Sequence, residues 1–127
     1  MYLDTHAVEW LYAKELQRFS KAALQRIEED ESFISPIVLL ELQYLKETKR
    51  IRTETHTIIE ALARSIGLRV CDLPFDHVVL EALPHTWTRD PFDRIIVGQA
   101  MARHAPLLTK DATIQTHYKQ AWWDEPR

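Results

Sequence analysis

Short β-prone runs alternate with helix-length segments along this chain, and that alternation restricts the fold more than any other feature. The β-like runs are residues 1–3, 32–34, 68–71, 106–109 and 121–123. Between them lie segments with helical spacing of apolar residues, at 5–12, 20–29, 37–46, 53–66, 92–104 and 112–118, with a further one opening at Pro74. Their boundaries are chemically marked. Ser35-Pro36 and Asp90-Pro91 each place a capping side chain before a proline suited to the first helical turn. Gly67 follows the 53–66 segment, where a left-handed residue can close a helix. Strands separated by helices of this length predict βαβ units. The fold class expected is α/β, an α/β/α sandwich around a central parallel sheet. In open sheets of that kind, functional groups collect beyond the carboxyl ends of the strands.

A length of 127 residues suits one domain spanning 1–127. Apolar residues make up 46% and charged residues 28%, a balance that excludes a disordered or fibrous chain. The single cysteine, Cys71, has no internal partner and reads as a buried thiol in a reducing compartment. No apolar run approaches the roughly 20 residues that cross a bilayer. Asp4, His6 and Glu9 interrupt any leader-like stretch at the N-terminus. A cytoplasmic protein with no membrane contact is the expectation. The formal net charge of −3 does not advertise nucleic-acid binding. An acidic centre holding cations is an exception to that rule, so charge leaves the question open.

Four acids stand out. Asp4 and Asp111 fall at the ends of two predicted strands, although either could simply cap the helix that follows. Glu41 is harder to dismiss, because Ile37, Val38, Tyr44 and Leu45 lie three and four residues away on the same helical face. A carboxylate on an apolar stripe must be paired, protonated or metal-bound, since burying it alone costs several kcal/mol. A buried ion pair is the competing account. Asp93 repeats the pattern beside Ile96 and Val97, with stabilisation by the first helical turn as its alternative. Asp90 takes the capping role first and Asp93 the site role, with the reverse assignment open.

Carboxylates drawn together repel, and a cation is the natural remedy. Hard oxygen ligands select Mg²⁺ or Mn²⁺, which can activate water and stabilise charge on a phosphoryl oxygen. Phosphodiester hydrolysis is therefore the reaction this donor set suits. The six histidines lack zinc-ligand spacing, and the chain has no phosphate-binding glycine loop or serine-hydrolase elbow. Arg89, Arg94 and Lys110 flank the acids and are candidate phosphate contacts. The basic run Lys46, Lys49, Arg50 and Arg52 could serve likewise or be a solvated helix end. Trp10, Trp87, Trp122 and Trp123 could stack on unpaired bases or belong to the core.

Leu3-Asp4-Thr5-His6, Ser35-Pro36 followed by Glu41, the block Arg89-Asp-Pro-Phe-Asp-Arg-Ile-Ile-Val-Gly-Gln-Ala100, and Leu108-Thr-Lys-Asp111 together resemble the PIN-domain toxins of the VapC type. The resemblance spans essentially the whole chain. It implies an Mg²⁺- or Mn²⁺-dependent endoribonuclease, the toxin of a type II toxin–antitoxin pair, with a VapB-type antitoxin and a homodimeric assembly. Asp4, Glu41, Asp93 and Asp111 match the family's acidic positions, with Asp90 as a fifth. Thr5 and Thr109 stand where the family places small hydroxyl residues near the metal. A silent PIN-like module that binds RNA or protein, and a structure-specific DNA nuclease, are the alternative readings. Gly98 departs from the pattern, at a local helix cost of about 1 kcal/mol relative to alanine.

Overall fold

A computed structural model describes residues 1–125. Five short strands, β1 (Tyr2–Leu3), β2 (Phe33–Ile34), β3 (Arg69–Val70), β4 (Leu107–Leu108) and β5 (Ala121–Trp122), form one sheet in the order β3-β2-β1-β4-β5. Every neighbouring pair is parallel. Leu3 pairs with Leu108, and Leu108 with Trp122. The ladder runs one residue further, where Asp4 N–H donates to Leu108 O at 3.0 Å.

Right-handed crossovers send connections that run in opposite directions along a sheet to opposite faces. The β1-β2-β3 and β3-β4-β5 connections therefore sandwich the sheet. The central strands must then be apolar on both sides. Leu3, Ile34, Leu107 and Leu108 are fully buried.

Seven helices supply the outer layers: α1 (Thr5–Tyr12), α2 (Lys21–Glu29), α3 (Ile37–Glu47), α4 (Thr55–Ile66), α5 (Phe75–Ala82), α6 (Pro91–Ala102) and α7 (Ala112–His117). Local chemistry explains most of their ends. Ser20 Oγ accepts from Ala23 N–H, and Ser35 Oγ accepts from Ile37 N–H. Gly67, at φ 70°, closes α4 in the left-handed conformation. Three boundaries differ from expectation. A 3-10 turn over Leu16–Arg18 precedes α2. The start of α4 lies two residues beyond Thr53, where Lys46 holds the Glu54 carboxylate at 2.8 Å. The end of α6 comes at Ala102, because His104 turns to φ 50° and leads the chain into β4.

Gly98 has a packing reason that local propensity does not contain. A Cβ there would stand 2.8 Å from Val78 O and 3.1 Å from Ala82 N, so the missing side chain lets α6 lie directly on the α5 backbone. Among the described residues, no helix is long and apolar enough to cross a membrane.

Candidate active site

Strand order creates the site. The chain leaves β1 toward β2 on one side, and β4 lies on the other, so the crevice between the carboxyl ends of β1 and β4 is the topological switch point. Asp4 and Thr109 are the residues that follow those two strands. Asp4 is buried, and both its oxygens are held: Oδ1 accepts from Thr5 N–H at 2.7 Å and Oδ2 from Thr109 Oγ1 at 2.5 Å. The same Thr109 hydroxyl accepts from Asp111 N–H at 3.1 Å. One hydroxyl thus links two of the acids.

The remaining acids arrive on helices. Glu41, on α3, accepts a hydrogen bond from Thr5 Oγ1. Asp90 caps α6, its Oδ1 accepting from Phe92 and Asp93 N–H groups at 2.8 and 3.3 Å. Asp111 caps α7 through Ile114 N–H at 3.0 Å. Asp93 sits in the first turn of α6, and its carboxylate has no hydrogen-bond partner among the described residues.

All five carboxylates line one cavity of about 610 Å³, which Lys110 and Arg50 also enter. Capping and site roles are therefore compatible: Asp4, Asp90 and Asp111 each hold a helix start with one oxygen while facing a shared cavity. Glu41 lies at the margin of the α3 apolar stripe rather than in its middle. Val38, Leu42 and Leu45 are buried, whereas Leu40 and Tyr44 are exposed.

The electrostatics follow from this crowding. Burial first, then the charges of Asp4, Asp90, Asp111 and Glu41, push the Asp93 carboxyl up to about 7. Burial also raises Asp4 and Glu41, opposed by the Thr109 and Thr5 hydroxyl bonds respectively. His6, at the cavity rim, is raised chiefly by its bond to Glu9. Among the described residues no three His, Cys, Asp or Glu side chains converge into a ready-made ligand set. The donor chemistry nevertheless suits a hard, strongly hydrated cation, which needs only one or two carboxylates and keeps water in its other positions.

The candidate phosphate contacts separate. Lys110 lines the cavity, with its Nζ 5.7 Å from the Trp10 ring centroid. Arg89 is exposed and outside the lining. Arg94 is engaged away from the cavity lining. Its Nε donates to Ala82 O at 3.0 Å and its Nη2 to Leu83 O at 2.7 Å, so its guanidinium holds the carboxyl end of α5. The tryptophans are spent on packing. Trp122 and Trp123 are buried, Trp10 meets Trp123 edge-on, and Trp87 stacks on His117 at 4.5 Å. Tyr44 and Phe92 were not anticipated as cavity residues. The available signal was their spacing, three residues after Glu41 and one before Asp93.

Comparison with known proteins adds three findings. A family model described as PIN domain matches residues 1–119. Ribonuclease VapC22 of Mycobacterium tuberculosis is 34% identical over 121 residues, covering 91% of this chain and 89% of that protein. The crystal structure of VapBC2 from Rickettsia felis, bound to a DNA fragment from their promoter, has a similar fold. It gives a TM-score of 0.67 at 19% identity, over 97% of this chain and 98% of that one.

Proposed function

The chain belongs to the PIN-domain family, and from that premise we propose that it is a metal-dependent endoribonuclease, the toxin of a type II toxin–antitoxin pair. One observation carries the reading: five carboxylates from β1, α3, α6 and the β4–α7 turn line a single cavity at the switch point of a parallel sheet. The full-length relationship to a VapC ribonuclease supports RNA as the substrate.

Mg²⁺ or Mn²⁺ is the cation the oxygen donors suit, and when bound it would supply an activated water and offset phosphoryl charge. Asp4 and Asp93 are the principal ligands in this reading. Asp4 is fixed by two hydrogen bonds, and Asp93 keeps both oxygens available. Glu41, Asp111 and Asp90 complete the negative wall and orient water through the oxygens their hydrogen bonds leave free. Thr5 and Thr109 hold Glu41 and Asp4 in place. Lys110 takes a phosphate of the substrate, and Arg89 stands near enough in sequence to assist, while Arg94 is left out.

A VapB-type antitoxin and a second copy of this chain are the proposed protein partners, in the cytoplasm. Phe75, Leu80 and Leu83, exposed along and just beyond α5, support a protein contact there. The test is RNA cleavage in Mg²⁺ and Mn²⁺, with matched DNA as control, comparing wild type with Asp4→Asn and Asp93→Asn. Loss of cleavage in both variants is expected. Wild-type rates in both would overturn the assignment.

A further inference from the structure

Tyr44 and Phe92 form an aromatic pair at the cavity that the carboxylates leave unexplained. Their ring centroids are 5.8 Å apart, with planes inclined by 35°. Tyr44 lies one turn after Glu41 on α3, and Phe92 directly precedes Asp93 on α6. Both residues line the cavity that holds the acids.

Core packing accounts poorly for Tyr44. The residues that α3 buries are Val38, Leu42 and Leu45, whereas Tyr44 is 46% exposed. An exposed aromatic ring beside a polar catalytic cavity is surface that a ligand can cover. Two cations enter the same cavity from different elements, Arg50 from the segment after α3 and Lys110 from the turn after β4. The cavity therefore combines π-faces with phosphate-binding charges, the combination that single-stranded nucleic acid requires.

Charge strengthens the argument. A chain of net charge −3 with five acids at its site attracts phosphates weakly over distance. Base stacking is a salt-insensitive contact that adds affinity where net charge supplies little. Stacking also needs a base free of its helix, because paired bases bury their faces on one another.

We propose that Tyr44, backed by Phe92, is a stacking platform for an unpaired base next to the scissile phosphate, with Arg50 and Lys110 holding the adjoining backbone. The platform rests on the ribonuclease reading and sharpens it by assigning the side chain that holds the base beside the cut. Phe92 supports the Tyr44 ring from α6, so the platform sits across the α3–α6 contact that also brings Glu41 and Asp93 together.

The experiment pairs binding with cleavage. Binding of a labelled short oligouridylate is followed by anisotropy in Ca²⁺, and cleavage in Mn²⁺, for wild type, Tyr44→Ala and Tyr44→Phe. Tyr44→Ala should weaken binding and raise KM by about tenfold, and Tyr44→Phe should restore both. Its salt dependence should match wild type, whereas Lys110→Ala should lower the salt slope by about one. An abasic site moved along the oligonucleotide should impair wild type at one position and leave Tyr44→Ala insensitive there. The same sequence in a duplex should bind and cleave poorly.

Wild-type binding and KM in Tyr44→Ala would overturn the platform while leaving the nuclease reading intact. A defect that Tyr44→Phe shares would overturn it too, as would a Tyr44→Ala defect confined to antitoxin binding. Conversely, Tyr44-dependent binding of single-stranded RNA without cleavage would keep the platform and sink the nuclease.

Discussion

The Thr109 hydroxyl donates a 2.5 Å hydrogen bond to Asp4 Oδ2 across 105 residues of sequence. It joins the carboxyl ends of β4 and β1, both lined by fully buried leucines. Because the hydroxyl also accepts from Asp111 N–H, the position of one acid sets that of the other. Thr109→Val keeps the shape and removes the donor, leaving a buried carboxylate one bond short. A loss of about 1–3 kcal/mol is expected in urea unfolding. Thr109→Ser should recover most of it. A wild-type midpoint for the valine variant would mean the bond contributes nothing.

Asp93 makes stability depend on pH in a definite direction. Its carboxyl rises from 3.8 to about 7 on folding, first through burial and then through the neighbouring acids. Between those values the folded chain keeps a proton that the unfolded chain has lost. The contribution is therefore complete below about pH 4 and disappears as pH rises through about 7. Asp4 and Glu41, also raised, act with the same sign. In metal-free buffer, Asp93→Asn should gain thermal midpoint over wild type as pH rises across that window. Mn²⁺ should reverse the order, since only wild type keeps the ligand. Parallel midpoints for the two proteins at every pH would refute this account.

Gly98→Ala tests the α5–α6 contact. Alanine favours a helix over glycine by about 1 kcal/mol. Here its Cβ would meet Val78 O at 2.8 Å and Ala82 Cβ at 3.0 Å, and backbone cannot step aside cheaply. Overpacking costs of about 1–3 kcal/mol should exceed the propensity gain. A net loss of stability is expected by chemical denaturation, and a stabilised variant would contradict the close approach.

Arg94 separates structural from substrate-binding arginines. Its two bonds to Ala82 O and Leu83 O hold the end of α5. Arg94→Ala should cost about 1 kcal/mol of stability, discounted for partial solvent exposure. RNA KM should stay within about twofold of wild type, whereas Lys110→Ala should raise it. A large KM effect at Arg94 with unchanged stability would restore it as a phosphate contact.

The elements of this fold were legible because their signals are local. A capping side chain reaches N–H groups two or three residues away, and helical periodicity repeats every three or four residues. Ser35, Gly67 and Asp90 accordingly announced their helix ends. The anomaly of Glu41 and Asp93 was legible for the same reason, as acids whose near neighbours are apolar. The exposure of Tyr44 was not, because its neighbour Phe92 comes from another helix.

By itself, then, the sequence determined the alternating strands and helices, the parallel sheet they imply, and which acids needed an explanation. Only the tertiary structure decided that Asp4 and Asp111 share one threonine hydroxyl, and that Asp90 caps a helix and faces the cavity at once. It likewise decided that Arg94 turns to carbonyls and that Gly98 makes room for α5. Each of these depends on contacts between elements distant in sequence, where strand order and side-chain direction set the outcome and no window of neighbouring residues carries the information.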